Sequence, residues 1–272
     1  MPFPEFERCI YQKNPLEAVI CQLRFPTVLR VDSEQPAVFQ DAVRMKSGRA
    51  YPLYETRRDG NVPAEVEPLL PPEIGQLIST VHDFSSADHK WTISLNRGFL
   101  ALSTKDYWRW EEFEEELSEI MQILQRIYSP AFLTRLGLRY QNVIRPLSGK
   151  EDPNIWKTYI QEYILGELAG PNIEAGDVLN VFTRTVIRLK NIPSSQVLLQ
   201  HGLADFDGSR CYVIDGDFYT EQKTEVNDAI PLLRKFKEKS GRLFRWCITS
   251  ELHQAMEPVS LTDDRAKRSE CA

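Results

Sequence analysis

Two stretches of this chain alternate arginine with apolar residues, and that alternation narrows the choice of fold more than any other feature. They are Arg135-Leu136-Gly137-Leu138-Arg139-Tyr140-Gln141 and Thr183-Arg184-Thr185-Val186-Ile187-Arg188-Leu189-Lys190. Neighbouring side chains of a β-strand point to opposite faces. Each stretch, as a strand, therefore sends its arginines to one side and most of its large apolar groups to the other. A sheet built this way has one buried face and one basic open face.

The surrounding sequence supplies the rest of such a sheet. Residues 19–25 read as a first strand, with Val19, Cys21, Leu23 and Phe25 on one side and Ile20, Gln22 and Arg24 on the other. A short helix is expected over 36–45, followed by an irregular stretch, 46–72, with Pro52, Pro63, Pro68, Pro71, Pro72 and the turn pair Asp59-Gly60. A strand over 79–84 precedes a hairpin in which Trp91, Ile93 and Leu95 answer Leu100 and Leu102 across the turn Asn96-Arg97-Gly98. In 108–128, Trp110, Phe113, Leu117, Ile120, Leu124 and Ile127 recur at helical spacing behind the glutamates of 111–119.

The second half repeats this order. A strand is expected over 135–144, a helix over 155–168, three strands over 181–190, 196–204 and 211–220, and a long helix from 225 to 247. The fold class expected is α+β: an antiparallel sheet with long helices packed on one face. It would be built from two pseudo-repeated strand-helix-strands-helix halves, 1–130 and 131–258, with a disordered tail over 259–272. By architecture alone this is analogous to the saddle of TATA-binding-like folds.

Composition bounds the function. At 272 residues the chain is long enough for a substantial core, and its net charge of −6 argues against coating nucleic acid through bulk charge. Cys9, Cys21, Cys211, Cys247 and Cys271 are scattered, odd in number and without a Cys-x-x-Cys pair. Free thiols in a reducing cytoplasm are the simplest reading. No apolar run approaches the roughly 20 residues that span a bilayer, so no membrane role is expected.

Chemistry-bearing motifs are weak. His82 and His89 flank a polar turn rather than a metal spacing. Asp205-Phe206-Asp207-Gly208 and Asp215-Gly216-Asp217 read as Asp-Gly hairpin turns that lack the closing glutamate of a calcium loop. No nucleophile elbow, phosphate loop or dinucleotide fingerprint is present, so no catalytic residue, metal or cofactor is expected. The glutamates of 111–119 read as a solvated helix face; of Trp108 and Trp110, at least one is expected in the core. What remains is the open face. By parity it holds Arg24, Arg135, Arg139, Gln141, Arg184 and Arg188, with Asp215 and Asp217 at one edge and a bare patch at Gly137 where a ligand or backbone comes close. Converging guanidinium groups suit phosphates or carboxylates.

Four groups of residues carry a family resemblance. They are Asn14-Pro15-Leu16-Glu17-Ala18-Val19-Ile20 with Gln22-Leu23-Arg24-Phe25-Pro26; residues 102–107 before Trp110 and Phe113; Arg135 to Tyr140 with Asn142 and Ile144; and Ile248-Thr249 with Leu252, Met256 and Glu257. Over nearly its whole length the chain resembles a sporadically distributed family of uncharacterised prokaryotic proteins, the Arg-Leu-Gly-Leu-Arg-Tyr piece being the most specific. That resemblance implies no activity or catalytic residues. Its patchy distribution implies a mobile accessory gene of the toxin–antitoxin or phage-defence kind. The function expected is thus a non-enzymatic binding or regulatory protein, antitoxin-like in setting, acting through the basic open face. Its partner would be a protein encoded nearby or a second copy of itself. The alternative is a nucleic-acid- or nucleotide-binding module using the same arginines.

Overall fold

Side-chain parity decides which face each strand buries, and a computed structural model describes the outcome for residues 3–34, 36–58, 79–146, 155–174 and 176–260. In chain order the strands are β1 (Cys9–Tyr11), β2 (Leu16–Arg24), β3 (Leu53–Arg58), β4 (Thr80–Ser85), β5 (Trp91–Asn96), β6 (Phe99–Thr104), β7 (Arg135–Ile144), β8 (Phe182–Arg188), β9 (Ser195–Phe206), β10 (Ser209–Thr220) and β11 (Pro258–Ser260). The helices are α1 (Arg30–Ser33), α2 (Ala37–Arg44), α3 (Trp110–Tyr128), α4 (Ile155–Tyr159), α5 (Glu162–Leu165), α6 (Ala229–Cys247) and α7 (Ser250–Ala255). The class is α+β. Nine strands join in the order β3-β4-β5-β6-β2-β7-β10-β9-β8, and β1 pairs with β11 apart from them. Strand, helix, strands and a 19-residue helix recur in both halves of the chain, as α3 and α6 show. The compact units are not successive segments, however. One comprises Ile20–Gly137 and Glu221–Leu232; the other comprises Met1–Val19, Leu138–Thr220 and Leu233–Ala272.

In the first of these units, Cys21, Leu23, Ile93, Leu95, Leu100 and Leu102 are fully buried. The hairpin register pairs Ile93 with Leu102 and Leu95 with Leu100, so these residues share one face. Phe113, Leu117 and Ile120 of α3 are buried with them, and the rings of Trp91 and Phe113 lie 5.8 Å apart. The α3 glutamates are not all solvated. Glu116 is buried, accepts the Tyr51 hydroxyl at 2.8 Å and Lys46 Nζ at 3.1 Å, and has Arg49 at 3.6 Å. Arg49 also reaches Glu112 at 2.9 Å and lies 3.8 Å over the Trp91 ring. Lys46 to Tyr51, expected to be irregular, is thus clamped onto the helix through charge-assisted hydrogen bonds. Leu53 to Arg58 continues as strand β3, paired with β4.

In the second unit, β9 and β10 form a long hairpin whose turn is Asp207-Gly208, both at positive φ (49° and 74°), as a type I′ turn requires. Val197, Leu199, Leu203, Ile214 and Phe218 are buried on one side. Gly216 faces α6 there; a Cβ would stand 3.0 Å from Leu243 Cδ2. Asp215-Gly216-Asp217 is therefore mid-strand, not the turn expected. His201 is buried beside Tyr212, its Nδ1 3.0 Å from the hydroxyl.

Other departures have local causes. Residues 155–168 split into α4, α5 and a 3-10 turn. Val259 and Ser260, assigned to the tail, pair with Ile10 and Cys9. Asp59-Gly60, the prolines at 63–72 and the tail 261–272 lie outside the described residues.

Two measurements check this packing. Replacing Glu116 with Ala leaves Lys46, whose side chain is 7% exposed, with Glu119 as its remaining carboxylate and takes the acceptor from the buried Tyr51 hydroxyl; it should cost about 1–3 kcal/mol in chemical denaturation. Burial pushes the His201 imidazole below its ordinary 6.5. The unfolded chain then binds the proton at higher pH than the folded one, so this contribution is present above pH 6.5 and falls away below it. His201→Asn should flatten the acid limb of a stability–pH curve.

Candidate binding surface on the open sheet faces

The face turned away from the helices follows from the same registers. In the first unit it carries Gln22, Arg24, Asp83, Thr92, Ser94 and Ser103, and also Val81, Phe99 and Ala101, which form a small buried apolar cluster. In the second unit it carries Arg139 and Gln141 of β7, Asp215 and Asp217 of β10, Gln196 and Gln200 of β9, and Phe182, Arg184, Val186 and Arg188 of β8. Val143, Cys211 and Val213 form a second apolar cluster on that side, with Ala204 and Phe206 against it. Neither open face is the polar, largely basic surface expected from side-chain parity alone.

The six residues singled out by sequence have different fates. In the first unit, Gln22 Oε1 accepts Arg24 Nε at 3.1 Å and Arg135 Nη1 at 3.3 Å. Arg135 folds its guanidinium along its own strand, over Gly137, where any Cβ would collide with it. The bare patch at Gly137 is thus filled by Arg135; the expected approach of a ligand or foreign backbone is preempted by this side chain.

In the second unit, Arg139 grips Asp215. Nε donates to Oδ1 at 2.8 Å, and Nη2 donates to Oδ2 at 2.5 Å. This is the bidentate fork that suits a carboxylate. Asp215 is 5% exposed, and its hydrogen bonds and charge hold the Arg139 guanidinium above its ordinary pKa. The anion that Arg139 would recruit is already supplied by the chain. Gln141 lies half-buried two residues along the same face.

Arg184 and Arg188 differ. Both are exposed, both stand on β8 at the end of the strand order, and neither makes a hydrogen bond or ion pair among the described residues. They share their face with Phe182 and Val186, 59% and 54% exposed. The residues opposite Arg184 and Arg188 on β9 are Gln200 and Gln196, neutral amides. Sequence parity placed these arginines on this face, but the expected surface included neither Val186 between them nor Phe182 beside Arg184. Phe182 and Val186 share the parity of the arginines, whereas Thr183 and Thr185, also exposed, have the opposite parity.

Other constellations resolve as structure. His82 is buried against Tyr54, whose hydroxyl is 2.8 Å from Nδ1, while His89 sits in the β4–β5 turn. No group of three His, Cys, Asp or Glu residues able to hold a metal occurs among the described residues. Trp110 is in the core and its indole N–H donates to Glu114. No helix among the described residues is long and apolar enough to cross a membrane.

No family model matches this sequence, and no curated protein matches it.

Arg139 and Asp215 should behave as a coupled pair rather than as a free site. Arg139→Ala should destabilise the fold by about 1–3 kcal/mol, because it leaves a buried carboxylate unmatched. The loss should shrink in the Asp215→Asn background. A double-mutant cycle by urea denaturation reads the coupling; additive losses would mean the two groups act separately.

Proposed function

We propose that this protein works by binding, and that the second unit receives an acidic protein partner on the basic side of its sheet. The observation that carries this reading is the pair Arg184 and Arg188: two exposed guanidinium groups on one strand face, without a counter-charge among the described residues. Guanidinium groups hold carboxylates in fixed geometry, and exposed Val186 between them and Phe182 beside Arg184 add contact area. Arg139 supports the surface rather than leads it, since Asp215 already holds it; Arg24 and Arg135 belong to the first unit, where Gln22 already engages them. Gln141 adds an amide beside Arg139.

A setting in a prokaryotic accessory system of the toxin–antitoxin or phage-defence kind rests on the family resemblance alone, and so does a partner encoded by a neighbouring gene. A reducing, cytoplasmic compartment is supported by Cys21, Cys211 and Cys247, buried and unpaired.

Co-expression with the products of flanking genes tests the reading. A partner should co-purify with the wild-type chain and be lost, by at least about tenfold in affinity, from Arg184→Glu/Arg188→Glu, with stability changed by no more than about 0.5 kcal/mol per site. Retention of the partner by the variant would remove the basic strand from the interface. Binding to any nucleic acid sequence, with affinity falling steeply as salt rises, would replace the protein partner with the phosphate backbone.

A further inference from the structure

We infer that β8 is a strand-addition site: an acidic, extended peptide segment of a partner protein pairs with the edge that no strand among the described residues covers. The inference rests on the basic-strand reading above and specifies how the partner engages it.

The main chain of β8 supplies the first argument. Leu203 N–H donates to Val181 O at 3.0 Å, and Leu189 N–H donates to Ser195 O at 2.9 Å. These two pairs bracket the β8–β9 register, in which Phe182 faces Gly202 and Arg188 faces Gln196. Bonded and non-bonded pairs alternate along an antiparallel ladder. The odd-numbered residues Thr183, Thr185 and Ile187 therefore exchange their bonds with β9. Phe182, Arg184, Val186 and Arg188 turn their N–H and C=O groups the other way, to the edge at the end of the strand order. The same four residues carry the open-face side chains. A strand added there places its own bonded residues directly across from them, with side chains on the same face.

Preorganisation supplies the second argument. Arg210 Nη2 donates to Val178 O at 3.0 Å and to Leu179 O at 2.5 Å, which ties the run into β8 to the β10 strand. The Val181 carbonyl packs against Gly202, where no Cβ fits and φ is +155°. The edge is held in place before anything binds, which lowers the ordering cost of association. Devices that usually blunt an edge strand, such as proline or a bulge, are missing from Phe182–Arg188.

Charge chooses the occupant. No acidic residue lies between Val178 and Lys190. Self-pairing of two β8 strands would gather both copies' arginines on one face, and like charges across strands are destabilising. A segment reading carboxylate, apolar, carboxylate, apolar at alternate positions instead meets Arg188, Val186, Arg184 and Phe182 in turn. Strand addition of this kind draws affinity from main-chain bonds and specificity from alternate side chains.

The test uses the full chain and a fluorescein-labelled peptide, Glu-Thr-Val-Thr-Glu-Thr-Val, followed by anisotropy. We expect saturable binding that is lost in Arg184→Ala/Arg188→Ala. An isomer with its two glutamates adjacent, hence on opposite faces, should bind at least about tenfold more weakly. N-methylation of the internal valine and glutamate, whose N–H groups face β8, should abolish binding, whereas N-methylation of the threonines should be tolerated. Equal binding of the two isomers, both still dependent on the arginines, would overturn strand addition while leaving the basic surface as the partner site. Failure of every peptide to bind would also overturn it; retention of the co-expressed partner by the Arg184→Glu/Arg188→Glu variant would overturn the broader reading too. Dimerisation through β8 that excludes the peptide would make a second copy the occupant and overturn the acidic segment.

Discussion

The pleat of a strand gives every residue one of two faces, and a long helix covers one face alone. In each unit a 19-residue amphipathic helix takes the apolar set: α3 over β5 and β6, α6 against β9 and β10. Burial of those large side chains is the main favourable contribution, at roughly 25 cal/mol per Å² of apolar surface removed from water. The consequence falls on the opposite face, which must manage its polar and apolar groups without a helix over it.

It does so in three ways. Carboxylates are locked to arginines within each unit: Asp83 holds Arg57 at 2.7 Å and the Ser94 hydroxyl, and Asp215 holds Arg139. Small apolar clusters, Val81 with Phe99 and Ala101, and Val143 with Cys211 and Val213, remove part of the surface from water. Long side chains bond along the sheet, as Arg24 and Arg135 do to Gln22. After these arrangements Arg184 and Arg188 remain without a carboxylate among the described residues, and that contrast makes β8 the informative strand. A lone exposed arginine means little energetically, since surface charges contribute about 0–1 kcal/mol. Two on one face of an edge strand, flanked by exposed Phe182 and Val186, combine hydrogen-bonding, charge and apolar contact in one place.

Burial reverses the meaning of charge elsewhere. The glutamates of α3 look alike in sequence, yet Glu116 alone among them lies in a nearly dry cluster with Lys46, Arg49 and Tyr51. There the electrostatics organise the fold, because a buried ion requires its partners. On β8 nothing among the described residues pairs with the arginines. The distinction between a structural charge and an available one rests on burial and partner, not on residue type.

Sequence by itself determined the alternating faces of β2, β5, β7 and β9, the two long helices, the Asp207-Gly208 and Arg97-Gly98 turns, and the open-face position of all four strand arginines from Arg135 to Arg188. These are local properties: a two-residue or 3.6-residue period, and Gly, Asn and Asp residues that favour turns. Tertiary structure decided which arginines are already satisfied. Asp215 meets Arg139 from a strand 76 residues away, Gln22 meets Arg135 across 113, and Glu116 meets Lys46 across 70. It also decided that Leu53–Arg58 is a strand, because its order comes from pairing with β4 rather than from its own pattern, and that β8 stands at an edge. Partners distant in sequence are set by the packing of whole elements, and no period read along the chain encodes them.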